Sequence, residues 1–226
     1  LLDKGNERSS HKNAVPRLGG IAFFIVIILS VYFLQMFDSH SLSYAFLPGV
    51  TILFIVGLKD DLMAMAPLTK LFAQIAATIF LIIHPDFLIG SMHGFLGVYA
   101  IPSWLSVIIT LIVIVGLINA VNLIDGIDGL AATISTIAFS VFAGLFYLTE
   151  QYILMFLAVL SAGSLIAFLR YNLSVKQKIF MGDTGSMIIG FLMAMMAVRV
   201  MATESALLLE LPVRPEMVAF FIITVL

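Results

Sequence analysis

Apolar residues in this chain come in long unbroken runs separated by short polar breaks. The runs cover residues 18–37, 43–57, 68–84, 103–121, 129–148, 152–169 and 186–203, and an eighth begins near residue 216. Within them, residues 21–37, 105–118 and 187–198 carry no charge. Each run is close to, or somewhat short of, the roughly 20 apolar residues a helix needs to cross a bilayer. The alternating signature of a membrane β-barrel is absent. The pattern predicts an all-α fold, a polytopic transmembrane helical bundle with about eight membrane segments in one domain over residues 1–226.

Composition agrees. Of the 226 residues, 62% are hydrophobic, well above the roughly 45–50% of a soluble domain. Cysteine is absent, which excludes disulfides and thiolate metal sites. A net charge of −2 gives no basis for a nucleic-acid partner. The chain starts at Leu1 and stops inside an apolar run, so the expectation is a domain truncated at both ends.

The distribution of charge says more than its sum. The odd-numbered breaks are 1–17, 58–67, 122–128 and 170–185. They and their flanks hold Lys4, Arg8, Lys12, Arg17, Lys59, Lys70, Arg170, Lys176 and Lys178, nine of the eleven basic residues. Only Arg199 and Arg214 fall on the other side. By the positive-inside rule the odd face is expected to be cytoplasmic. Of the even breaks, 38–43 and 149–151 are short connectors, while 84–102 is longer, and its glycines suggest a hairpin lying on the outer surface.

The odd face also collects the acidic residues. Carboxylates are costly near hydrocarbon and usually mark function there. Asp60 and Asp61 follow an apolar run; adjacent carboxylates repel, which suits a base with a cationic partner or, more plainly, a helix cap. Beyond them, Lys70 and Gln74 share a helix face. Lys70 is placed to bind a phosphate or to snorkel as an interface lysine. Asn119, Asn122 and Asp125 recur at three-residue spacing, and Asp128 follows with Gly126 and Gly129 as turn formers. Such carboxylate and amide oxygens suit Mg²⁺, a hard cation that keeps several waters. Asp183 opens the next run with Thr184 and Ser186, either of which can cap it; backbone N–H groups at a helix start favour phosphate. Lys12 and Arg17 offer cations for anions, and Phe180 a ring for a base.

Taken together, Val15-Pro16-Arg17-Leu18-Gly19-Gly20, Asp60-Asp61, Asn119 to Leu130 and Phe180 to Ser186 resemble the polyprenyl-phosphate N-acetylhexosamine-1-phosphate transferases, glycosyltransferase family 4. The resemblance spans essentially the whole chain. The first motif is similar to the branch acting on undecaprenyl phosphate and N-acetylglucosamine; the phospho-MurNAc-pentapeptide branch more usually has Thr-Pro-Thr-Met-Gly-Gly. The resemblance implies transfer from a UDP-N-acetylhexosamine to undecaprenyl phosphate with release of UMP, Mg²⁺ as cofactor, and an inner-membrane protein with a cytoplasmic site. It implies a larger domain of about ten or eleven helices, each crossing by the same length rule. A homodimer is admitted as a further partner.

Residue by residue, the resemblance assigns the metal to Asn122 and Asp183, and catalysis to Asp60, Asp61, Asp125 and Asp128, with Asp60 as base for the lipid phosphate. Lys70 matches a lysine on phosphate. Lys12, Gly126, Asp128 and Phe180 fall at the uridine end, and Arg17, Asn119 and Asn172 complete the substrate set. The loop before Asp183 departs from the family's pattern at Ser174-Val175-Lys176-Gln177, which loosens the placement of Asn172.

Two other classes fit less well. A CDP-alcohol phosphotransferase wants an arginine after Asp128-Gly129 and further spaced aspartates. An ion-coupled transporter places its acids near the midplane of repeated halves.

Overall fold

The computed structural model describes residues 2–3, 15–35, 42–92 and 97–203. Seven α-helices carry it: α1 Gly19–Gln35, α2 Leu42–Leu62, α3 Pro67–Ile82, α4 Ser103–Ile124, α5 Leu130–Leu148, α6 Tyr152–Asn172 and α7 Gly182–Ala202. Among the described residues the strand pairing is a two-residue antiparallel ribbon, β1 Leu2–Asp3 with β2 Val15–Pro16, and a single bridge between Arg17 and Phe180.

Successive helices pack side by side from α1 to α6, and α6 returns to α1. Helix α7 fills this ring and touches α1, α2, α4 and α5. The reason lies in its composition. From Met187 to Val198 it is apolar on every side, and a helix without a polar face belongs in an interior. Seventeen of its 21 residues are buried. The ring helices instead turn Ile25, Leu29, Ile112, Phe156 and Ile166 outward.

Helices α4, α5, α6 and α7 are long and apolar enough to cross a bilayer, which makes this an integral membrane protein. Helices α1 and α3 are shorter, at 17 and 16 residues. The expected eighth segment lies outside the described residues, so eight spans are not reached among them.

Lipid tails are as apolar as leucine, so packing rather than transfer from water must hold such helices together. Small residues supply it. A Cβ on Gly20 would lie 2.5 Å from Thr184 Cβ, and one on Gly57 2.5 Å from Thr184 Cα. Helices α1 and α2 can therefore close on the start of α7. Aromatic contacts seal the seams: Phe24 stacks on Phe54 at 3.9 Å between α1 and α2, and Phe23 meets Phe168 edge-on between α1 and α6.

Helix ends overran the expected boundaries. Helix α2 continues through Lys59, Asp60 and Asp61 to Leu62, α4 runs past Asn122 to Ile124, and α7 begins at Gly182. Most of the chemistry-bearing residues thus sit on helical ends rather than in loops, where packing holds them.

The 84–102 connection also differs from expectation. Its arms do meet, through Ile101 N donating to Gly90 O at 3.0 Å. Yet Phe87 and Ile89 are fully buried, and Ile89 N donates to Thr110 Oγ1 at 3.0 Å. The first arm thus packs into the bundle, while residues 97–100 of the second arm are exposed. At that same end Arg199 Nε donates to Gln151 Oε1 at 2.7 Å, and Arg199 Nη1 lies 3.4 Å from Asp86 Oδ2. This pins the tail of α7 to two connections.

Candidate functional site

The opposite end of α7 holds the acidic motifs. The chain leaves α2 in a tight turn, where Met65 N donates to Asp60 Oδ1 at 2.7 Å. Pro67 then starts α3; it has no N–H to leave unsatisfied at that position. One turn later Lys70 faces back. Its Nζ lies 2.6 Å from Asp60 Oδ2 and 3.4 Å from Asp183 Oδ2. A single ammonium therefore joins carboxylates 123 positions apart in sequence. Across α4, Asn122 Nδ2 donates to Asp183 Oδ1 at 2.6 Å and to Ser186 Oγ at 2.8 Å.

Asp61 is turned elsewhere. Neighbouring helical residues point about 100° apart, and this one reaches under α7. Its Oδ1 accepts from Asp183 N and its Oδ2 from Thr184 N, both at 3.0 Å; Thr184 Oγ1 adds a third bond at 2.5 Å. Arg17 Nη1 stands 3.7 Å from Asp61 Oδ1. The cap expected from Thr184 or Ser186 thus comes from another helix. Thr184 is a donor to it, and Ser186 Oγ bonds back to Gly182 O at 3.1 Å.

Asn119 and Asn122 share a helix face but not a partner. Asn119 exchanges two hydrogen bonds with the buried Gln74, at 3.2 and 2.8 Å. Asp125 ends α4. Burial first, and then the charges of Asp183 and Asp61, push its carboxyl up to about 8 against a weaker pull from Arg17. Gly126 is exposed at the turn that follows.

A second group forms beside this one. Asp128 is ion-paired with Lys178, whose ammonium lies 5.4 Å over the Phe180 ring. Asn172 is 5% exposed, and both ends of its amide are engaged. Its Oδ1 accepts from Gly129 N at 2.7 Å and its Nδ2 donates to Ile179 O at 2.9 Å. Gly129 sits at φ +75, a left-handed conformation that glycine adopts without strain. Beyond it, Phe180 N donates to Pro16 O at 2.9 Å and Gly19 N to Phe180 O at 3.1 Å, so the segment holding Arg17 lies along the segment holding Phe180. Lys12 lies outside the described residues.

The structure therefore brings Asp60, Lys70, Asn122 and Asp183 into one connected set, with Asp61 and Arg17 behind it. It brings Asp128 and Phe180 into another. Asn119 is tied to Gln74, and Asn172 to backbone. Lys178 was not singled out in the sequence, where it was one of many loop cations. Its signal was its position two residues before Phe180, which points both side chains the same way in extended chain.

Among the described residues no three His, Cys, Asp or Glu side chains gather closely enough to hold a metal by themselves. The nearest donor set is Asp183 with the Asn122 amide and the Ser186 hydroxyl. All can present hard oxygens once the amide is turned over, since its O and N ends differ only by assignment. One or two such groups fit Mg²⁺, which takes its remaining ligands from phosphate and water.

A family model for glycosyl transferase family 4 matches residues 43–201. The chain is 32% identical over 196 residues to the undecaprenyl-phosphate alpha-N-acetylglucosaminyl 1-phosphate transferase of Haemophilus influenzae, covering 84% of this chain and 55% of that protein. It is 37% identical over 199 residues to the protein of that name from Pasteurella multocida, covering 84% and 54%. It is 30% identical over 222 residues to the phospho-N-acetylmuramoyl-pentapeptide-transferase of Staphylococcus carnosus, covering 91% and 68%. The chain spans a little over half the length of the first two.

Proposed function

This chain belongs to glycosyl transferase family 4, and from that membership we propose that the protein transfers N-acetylhexosamine 1-phosphate from a UDP-sugar to undecaprenyl phosphate. UMP is the second product. The observation that carries this reading is the Asp60–Lys70–Asp183 chain, with Asn122 against Asp183. It offers a base, a cation for phosphate and hard oxygens for a metal at one end of a membrane bundle. The basic residues of the odd breaks favour a cytoplasmic site in a bacterial inner membrane, where a water-soluble nucleotide sugar meets a lipid phosphate.

The chemistry follows from the pairings. In this structure the Lys70 ammonium occupies Asp60. When an anionic lipid phosphate takes over Lys70, Asp60 is released, and it accepts the proton of a phosphate whose second pKa is near 6. An oxygen of that phosphate then forms a bond to the sugar-bearing phosphorus. The bond from this phosphorus to the oxygen of the nucleotide phosphate breaks, and UMP leaves with the electron pair. Asp183 and Asn122 would hold a Mg²⁺ that offsets the charge of the split diphosphate; such transfers depend mainly on positioning and charge stabilisation. On the other side, Phe180 and Asp128, with Lys12 and Gly126, serve the uridine end. Arg17, near Asp61 on one side and paired with Phe180 on the other, would meet charge between the two groups, and Asn119 would act from its place against Gln74.

The test is UMP release by the full-length protein from a panel of UDP-sugars, with and without undecaprenyl phosphate and Mg²⁺. Release from UDP-N-acetylglucosamine that requires both is expected. Release only from UDP-MurNAc-pentapeptide would move the protein to the phospho-N-acetylmuramoyl-pentapeptide transfer named for the Staphylococcus carnosus relative. Release independent of the lipid would sink the reading.

A further inference from the structure

The acidic pair at the end of α2 consists of two residues in different situations. Asp60 faces the cation of Lys70, with 6% of its side chain exposed. Asp61 has a side chain with no exposed surface, and both its oxygens are taken by the start of α7. We infer that Asp61 is a positioning residue: it clamps the first turn of α7 and so sets where Asp183 stands, without itself touching substrate.

Three observations converge on this. The first is the donor set. Asp61 receives the backbone N–H of Asp183 itself, the N–H of Thr184 and the Thr184 hydroxyl. A helix start has such N–H groups without partners inside the helix. Here α7 has no side-chain cap of its own, and α2 provides one. The second is the fit around the carboxylate. Gly182 has φ +74, and a Cβ there would lie 2.6 Å from Asp61 Oδ2. Any larger residue would push the carboxylate off its donors. The third is the floor beneath. Gly57, one helical turn before Asp61, allows α2 to approach Thr184 so closely that a Cβ would lie 2.9 Å from Thr184 N. The glycines at 57 and 182 and the hydroxyl at 184 thus surround a single carboxylate.

Asp183 is exposed enough to work, at 22% of its side-chain surface, so its rotamer alone does not hold it. Its position comes from two sides. Asn122 and Lys70 hold its carboxylate, and Asp61 holds its backbone. The second acid of the pair therefore acts through the first turn of α7.

The inference rests on the transferase reading, and two measurements keep the two separable. In full-length protein, Asp61→Asn keeps an oxygen acceptor but cannot act as a base, whereas Asp61→Ala removes the clamp. Asp61→Asn is expected to hold turnover to within about tenfold of wild type at saturating Mg²⁺, while the Mg²⁺ concentration for half-maximal rate rises about tenfold. Asp61→Ala should lose at least about a hundredfold, and Asp60→Asn should lose turnover at every Mg²⁺ concentration. If Asp61→Asn is as inactive as Asp60→Asn at every Mg²⁺ concentration while still folded, Asp61 is a chemical group and the inference is overturned. The second measurement needs no activity. Amide hydrogen exchange across residues 182–186 should speed up at least tenfold in Asp61→Ala and stay unchanged in Asp60→Asn. Unchanged exchange in Asp61→Ala overturns the clamp. Loss of lipid-dependent UMP release in wild type, with the exchange result intact, would remove the transferase reading and leave the clamp standing.

Discussion

Gly129 donates its backbone N–H to Asn172 Oδ1 at 2.7 Å. Asn172 Nδ2 in turn donates to Ile179 O at 2.9 Å. One buried side chain therefore joins the turn after α4 to the loop before α7, and so joins the segment carrying Asp128 to the segment carrying Lys178 and Phe180. Asn172 was expected to bind substrate; in this structure its amide bonds to backbone at Gly129 and Ile179. An unsatisfied buried donor or acceptor costs about 1–3 kcal/mol. Asn172→Ala should lower the melting temperature of the detergent-solubilised protein and weaken nucleotide binding together. Nucleotide affinity that falls with no change in melting temperature would return Asn172 to a direct contact with substrate.

Metal dependence is the second expectation. Asp183→Asn removes a charged oxygen from the proposed Mg²⁺ site, and Asn122→Ala removes its neighbour. Each should lower turnover of the full-length protein by about a hundredfold, at the upper end of what lost metal-site partners cost. EDTA should abolish wild-type turnover and excess Mg²⁺ restore it. A wild-type rate in the Asp183 variant would take that residue out of the mechanism.

The two halves of the site should separate kinetically. Phe180→Ala loses a ring that can stack on a base, worth about 1–3 kcal/mol, or roughly ten- to a hundredfold in apparent nucleotide affinity. Its apparent affinity for undecaprenyl phosphate should barely move. Lys70→Ala should weaken the lipid more than the nucleotide. Each variant is titrated with one substrate at saturating levels of the other; the reverse pattern would mean the half-sites are exchanged.

Asp125 makes stability depend on pH. Its folded value, about 8, lies above the ordinary 3.8, so the folded state holds the proton more tightly. That contribution is complete below the unfolded value and is lost as pH rises through the folded one. In EDTA, the melting temperature of Asp125→Asn should gain on wild type between about pH 5 and about pH 9. An equal difference at both ends of that range would mean that Asp125 ionises freely.

The apolar runs, the absence of barrel alternation and the clustering of basic residues on odd breaks were enough to specify a helical membrane protein. Composition decides this locally, because a bilayer leaves a backbone few ways to satisfy its own hydrogen bonds. The acidic motifs could likewise be read as belonging to one end of the bundle, since consecutive spans alternate in direction. What the sequence could not specify was the division of labour within those motifs. Asp60 and Asp61 are chemically identical and adjacent, yet one pairs with Lys70 and the other caps α7. Asn119 and Asn122 lie one helical turn apart, yet one meets Gln74 and the other Asp183. Asn172 reads as a polar loop residue until α6 is seen to carry it to Gly129. These partners come from helices distant in sequence. Which of them a side chain meets depends on how closely α1, α2 and α4 approach α7, and that distance is set by glycines whose role appears only once the helices are packed.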